Sequence, residues 1–149
     1  MDDGLRDLYQ DVILDHNKRP RNFRVIPEPT VKLEGYNPLC GDRLTLFLKM
    51  EGDQVADVSF QGHGCAISTS SASLMTEGVK GKSRAEATAL FKEFQNLVTR
   101  QGKTDEKMLG KLKVFSGVGE FPARVKCATL CWHTLQSALA GSKDKVTTE

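Results

Sequence analysis

The hydrophobic pattern changes period along the chain, and the change divides it into parts. Leu5, Leu8, Tyr9, Val12 and Ile13 fall at i, i+3, i+4, i+7 and i+8, which predicts one apolar face of a first helix. Asp2 and Asp3 suit the positive end of that helix, Lys18 and Arg19 suit its negative end, and Pro20 stops it. Residues 21–29 read as an irregular connection containing two prolines. Three runs of strand character follow: Thr30–Tyr36, Arg43–Met50 and Val55–Gln61. Glu51-Gly52-Asp53-Gln54 between the last two reads as a hairpin turn, so the strands form a small antiparallel sheet.

From Ala66 onward the period is helical. Residues 66–79 predict one helix, broken by Gly78 and Gly81. Ser83 and Glu86 form a capping box that opens another, with Leu90, Phe94, Leu97 and Val98 inward and Gly102 suiting its end. Residues 103–120 read as short helical turns. A last helix over about Arg124–Ala140 carries Ala128, Cys131, Trp132, Leu135 and Leu139 on one stripe. Residues 142–149 form a polar tail expected to fray, leaving one domain over 1–141. Strands first and helices after predict an α+β domain.

Charge and composition exclude several classes of function. The 149 residues carry 21 basic and 19 acidic side chains, a net charge of +2, with no dense basic stripe for a nucleic acid. The N-terminus is acidic and lacks a basic region followed by an apolar run, so no secretory signal is expected. No stretch approaches the ~18 apolar residues of a membrane span. The expected location is therefore cytoplasmic, where thiols stay reduced. A chain of this length buries a core without staples. Its four cysteines, Cys40, Cys65, Cys127 and Cys131, therefore read as fillers, metal ligands or nucleophiles.

Three of them sit at junctions. Cys40 lies in the turn-rich Asn37-Pro38-Leu39-Cys40-Gly41-Asp42, between two strands. Cys65 ends Gly62-His63-Gly64-Cys65, between a strand and a helix, and Cys127 falls in the expected first turn of the last helix. Helix N-termini favour thiolate, the form that attacks and that binds metal. Glycines at 41, 62 and 64 permit close backbone approach or positive φ. The absence of a CxxC pair excludes zinc ribbons and thioredoxin-type sites, so three separate loops must converge if these cysteines meet. Asp42 is the natural fourth ligand, completing a tetrahedral zinc shell with three thiolates. That shell carries a net charge of about −2, and Arg124 and Lys126 flank Cys127 to offset it.

Other polar residues have plainer readings. Cys131 lies on the apolar stripe with Trp132 and reads as core. His63 is near Cys65 but lacks ligand spacing. His16 and His133 read as surface or cap residues, Ser68–Ser73 as helix surface, and Lys80, Lys82 and Arg84 as a solvated cluster.

These motifs, taken in order, resemble a known family. Tyr9–His16 followed by Lys18–Asn22 is similar to the N-terminal signature of the SufU/IscU/NifU-type iron–sulfur assembly proteins. Asn37–Asp42, Gly62–Ser68 with Ser70–Ser73, and Arg124–Cys127 with Leu130 and Trp132 resemble their three cysteine motifs. IscU-type scaffolds carry a histidine ligand before the third cysteine, where this chain has Lys126. Phe121–Lys126 stands in place of their Leu-Pro-Pro-Val-Lys segment, and the spacer before the third cysteine is longer. All three departures match the SufU subfamily of Gram-positive-type bacteria; Cys131 departs from it.

The resemblance implies a three-stranded antiparallel sheet with helices packed on it and the cysteine loops at one end. It implies Zn²⁺ held by Cys40, Asp42, Cys65 and Cys127. It implies sulfur transfer from a SufS-type pyridoxal-phosphate cysteine desulfurase towards downstream iron–sulfur assembly machinery. Cys40 is then the persulfide acceptor, and Arg124 balances charge or steadies the persulfide. The alternatives are a scaffold that builds a [2Fe-2S] cluster on the same cysteines, and a structural-zinc adaptor without sulfur chemistry.

Overall fold

A computed structural model of the chain describes residues 3–142 and 144–147. Asp2, expected at the first helix start, lies outside the described residues, as do the side chains of Asp3 and Leu5 and parts of the tail. Three antiparallel strands form a meander: β1 (Val31–Asn37), β2 (Asp42–Glu51) and β3 (Gln54–His63). The pairs Asn37↔Asp42 and Glu51↔Gln54 close the two hairpins, the second at the expected turn. The tail does not simply fray. Val146–Thr147 form a short strand, β4, parallel to β1 at Gly35 and Tyr36, giving the order β3-β2-β1-β4. Beside this pairing Lys145 sits over the Tyr36 ring at 4.8 Å, a cation–π contact that ties the tail to β1.

The helices are α1 (Asp3–Lys18), α2 (Ala66–Val79), α3 (Arg84–Thr99), the single turn α4 (Glu106–Leu109) and α5 (Pro122–Leu139). Helix α5 lies against β1 and β2; α2 and α3 pack on α5, and α1 packs on the far side of α2. Central position explains why α5 is buried on nearly every side. Trp132 stacks on Phe94 with ring centroids 4.9 Å apart, an aromatic pair that adds about 0.5–1.5 kcal/mol beyond its burial. Among the described residues no helix is long and apolar enough to cross a membrane.

Several local expectations change. Leu8 is 56% exposed, and the inward face of α1 is Tyr9, Val12, Ile13 and His16. His16, expected at the surface, is 2% exposed; its Nδ1 lies 2.7 Å from the Ser73 hydroxyl. Ser70, Ser71 and Ser73 are fully buried rather than on a helix surface. Helix α2 is enclosed by α1 and α5, where small side chains permit close approach. Their hydroxyls are satisfied there: Ser70 and Ser71 donate to the Ala66 and Ala128 carbonyls, each at 2.6 Å. The Ser83–Glu86 capping box is present, but α3 ends on Arg100 in the left-handed conformation (φ 59°) rather than at Gly102. Helix α5 begins at Pro122, which suits a first helical position. Residues 103–120 are not merely charged turns, since Leu109, Leu112, Val114 and Phe115 enter the core.

The buried His16 makes stability depend on pH. Burial chiefly, with the Arg21 charge beside it, holds its pKa below the usual histidine value, against the opposing pull of Glu77 and Asp15. Burial also lowers His133, which packs edge-on to Phe91 at 5.2 Å. Both are stabilised as neutral rings, so the unfolded chain binds more protons once pH drops below about 6.5. Stability is then present above that value and lost as pH falls through it. A melting series from about pH 7.5 to about pH 5.5 should show a falling Tm. His16→Gln, which keeps a partner for Ser73, should flatten the decline.

Candidate metal centre

The β1–β2 turn presents Cys40. Asn37 precedes Pro38 and is held extended at the end of β1. Its side-chain oxygen accepts from the Leu39 N–H at 3.2 Å and its carbonyl from the Gly41 N–H at 2.9 Å. Gly41 takes a positive φ of 71°, turning the chain so that Cys40 stands exposed at the tip. Asp42 opens β2 and is 1% exposed.

Cys65 is the N-cap of α2, as its position before that helix predicts. Its N–H donates to Asp42 Oδ1 at 3.0 Å, and its Sγ accepts from the Ser68 N–H at 3.4 Å. Cys127 is buried in the second turn of α5, because that helix starts earlier than expected. Its Sγ donates to Cys40 Sγ at 3.1 Å and accepts from Asn37 Nδ2 at 3.6 Å.

The structure therefore brings together Cys40, Asp42 and Cys127, whose donor atoms all lie within 4.8 Å of one another, as a candidate metal site. Cys65 sits beside this group through its backbone, with its sulfur turned to the helix cap. The second carboxylate oxygen of Asp42 is buried and has no hydrogen-bond partner among the described residues. A buried acceptor left unpaired costs about 1–3 kcal/mol. Two sulfurs and a carboxylate oxygen are a donor set that a borderline-soft divalent cation would satisfy.

The electrostatics depart from the expected thiolate at Cys127. Burial first, then the neighbouring Cys40 and Asp42, push its thiol well above the ordinary range. A helix N-terminus cannot offset this from the second turn, because its field fades within the first. A cation at the site would reverse the balance, since metal ligation deprotonates thiols.

The remaining candidates are dispersed. Arg124 is exposed and stacks on the Phe121 ring at 4.3 Å, without an ion pair among the described residues. Lys126 is half-buried. His63 is exposed at the end of β3, opposite Arg43, and is not among the grouped donors. Cys131 is buried beside the Ser71 hydroxyl at 3.5 Å, and burial pushes its thiol up to about 12. Its environment is that of a core residue, so Cys131→Ala should leave metal content unchanged, as measured by elemental analysis. Asn37 is the contact that sequence reasoning missed. Its signal was its place before Pro38, at the start of the first cysteine motif.

The family described as NifU-like N terminal domain matches residues 8–128, and the chain belongs to it. The chain is 43% identical over 137 residues to the zinc-dependent sulfurtransferase SufU of Bacillus subtilis, covering 92% of each chain. It is 41% identical over 138 residues to the iron-sulfur cluster assembly scaffold protein IscU of Streptococcus pyogenes, covering 93% of this chain and 86% of that one. The crystal structure of FiSufU from Fervidobacterium islandicum AW-1 superposes with a TM-score of 0.84 at 38% identity, covering 90% of this chain and 98% of that one.

Proposed function

We propose that the protein works in iron–sulfur cluster assembly as a zinc-dependent sulfurtransferase. It would accept persulfide sulfur from a SufS-type pyridoxal-phosphate cysteine desulfurase in the cytoplasm and pass it to downstream assembly machinery. The observation that carries this reading is the Asp42 carboxylate, one oxygen of which is buried without a partner among the described residues, grouped with an exposed Cys40 and a buried Cys127. The similarity to the Bacillus subtilis sulfurtransferase supports zinc as the metal. Zn²⁺, when bound, would hold its thiol ligands deprotonated at neutral pH.

Cys40, Asp42 and Cys127 would hold the ion, with Cys65 as the fourth ligand once its side chain turns from the Ser68 N–H. That cap is weak, because sulfur is a poor acceptor, so little opposes the turn. Cys40 and Cys65 are both exposed, and Cys40 is the acceptor because it stands at the tip of a turn within the grouped donors, whereas the Cys65 sulfur is held at the α2 cap by the Ser68 N–H. Its thiolate attacks the terminal sulfur of the donor's cysteine persulfide. A new S–S bond forms at Cys40 Sγ, the donor's S–S bond breaks, and the donor cysteine leaves as thiolate. Arg124 stands one helical turn before Cys127, and its guanidinium would have to leave the Phe121 ring to supply a cation to the transferred sulfur's negative charge.

The similarity to the Streptococcus pyogenes scaffold favours a second reading, assembly of a [2Fe-2S] cluster on the same residues. Lys126 weighs against it, since it stands where IscU-type scaffolds are expected to carry a histidine ligand, and iron–sulfur clusters are held by cysteine and histidine. Metal analysis combined with a desulfurase turnover assay separates the readings. Stoichiometric zinc and faster alanine release are expected. Iron and sulfide with a visible chromophore, and no acceleration, would establish the scaffold; zinc without acceleration would leave a structural-zinc adaptor.

A further inference from the structure

We propose that the groove at the far end of α2 is a docking surface for an acidic amphipathic helix of a partner protein. The inference does not depend on what the metal centre does. Helix α2 is 14 residues long, about 20 Å at roughly 1.5 Å per residue. Cys65 caps one end, and the groove begins near Leu74 and runs past the other end to Lys82. It is half-open, holds about 670 Å³, and is walled by the end of α2, the start of α3 and residues 107–112.

Its floor and its rim differ in character. Leu74, Leu90 and Leu112 form an apolar floor, and Met108 stands over it 47% exposed. Methionine is flexible and polarizable, and adapts to varied apolar partners. Around this lie Lys80, Lys82, Lys107 and Lys111, all exposed. Among the described residues Lys82, Lys107 and Lys111 form no ion pair, and Lys80 shares Asp57 with Arg24.

The groove's own two carboxylates offset only part of this charge, Glu86 through the nearby Lys82. Glu86 is committed to the capping box, accepting from the Ser83 N–H at 3.0 Å. Glu77 faces His16, with Oε1 3.8 Å from Nε2. Four lysines against two glutamates leave the groove lining with a charge of +2, an excess as large as that of the whole chain.

That field selects the occupant. A small anion would need convergent, buried donors, whereas these ammonium groups are exposed and spread over three segments. The groove follows α2 from Leu74 to its end at Val79 and three residues beyond, room for a partner helix of about two turns, which presents anchors at i, i+3 or i+4, and i+7. Leucines on one face would meet the floor, and glutamates on the flanks would meet the lysines.

NMR titration of the full chain with a synthetic Leu/Glu amphipathic peptide, and with its Leu/Lys counterpart, tests this. Saturable shifts at Leu90, Met108 and Lys111 are expected with the Leu/Glu peptide alone, weakening as salt is added. The triple variant K82E/K107E/K111E should bind about tenfold more weakly or worse, with melting temperature and metal content unchanged. Met108→Glu, a single exposed change, should weaken binding too. Four outcomes would overturn the proposal. They are no binding, shifts centred on Cys40–Asp42, equal binding of polyglutamate or an RNA homopolymer, and self-association that the triple variant abolishes, which would seat a second copy of this chain in the groove.

Discussion

Cys40→Ser is expected to abolish sulfur acceptance while leaving the fold standing. Cys40 is exposed at a turn whose shape is set by Asn37 and Gly41, and the core does not involve it. The substitution changes one atom, and a serine oxygen cannot form the S–S bond on which persulfide transfer depends. After incubation with a cysteine desulfurase and cysteine, mass spectrometry should find one added sulfur on the native chain and none on the variant. If the variant still gains sulfur, the acceptor is Cys65 or Cys127 and the proposed role of Cys40 is wrong.

Chelation gives a second readout on the native chain. A metal that binds only the folded state stabilises it by about 2.7 kcal/mol at ~100-fold excess over its Kd. Tm should drop on chelation, and it should drop less in the variant, which has already lost a ligand.

The elements were legible in the sequence where local pattern and tertiary position agree. The β2–β3 hairpin carries its turn chemistry in Glu51–Gln54, and α3 carries its start in Ser83 and Glu86. The failures share a cause. His16 and Ser70–Ser73 are polar residues on faces that become buried only because α1 closes over α2, a packing that no local window contains. The β4 strand escaped notice because two residues have no period; it depends on Tyr36, more than a hundred residues upstream.

The candidate site divides in the same way. The junction positions of Cys40, Cys65 and Asp42 could be read from turn and helix signals. That Cys127 would reach Cys40 across 87 positions could not. Nor could its depth in α5 be read, because helix N-termini are known from pattern only to within a few residues. The direction of the Cys65 sulfur is a rotamer choice, which sequence does not encode.

Gly64→Ala is expected to lower metal affinity by about 10–100-fold, the usual cost of disturbing a ligand's support. Gly64 precedes the Cys65 N-cap and needs its missing side chain for space. A Cβ there would strike the Ser68 hydroxyl and come within 2.6 Å of Asp42 Oδ1 and 3.1 Å of its Cγ. Ser68 can rotate away. Asp42 cannot easily do so, because it is 1% exposed and its Oδ1 is fixed by the Cys65 N–H at 3.0 Å. The carboxylate must therefore shift, losing that bond and moving its unpartnered oxygen relative to Cys127. Competition titration with a chromophoric zinc chelator measures the change. Gly117→Ala is the matched control, since a Cβ there meets nothing within 4 Å. Gly64→Ala with Ser68→Ala separates the two contacts: if affinity returns, the clash was with the hydroxyl, and if it stays low, Asp42 was displaced. Undiminished affinity in Gly64→Ala alone would mean that Asp42 is not a ligand and that the three thiols hold the ion without it.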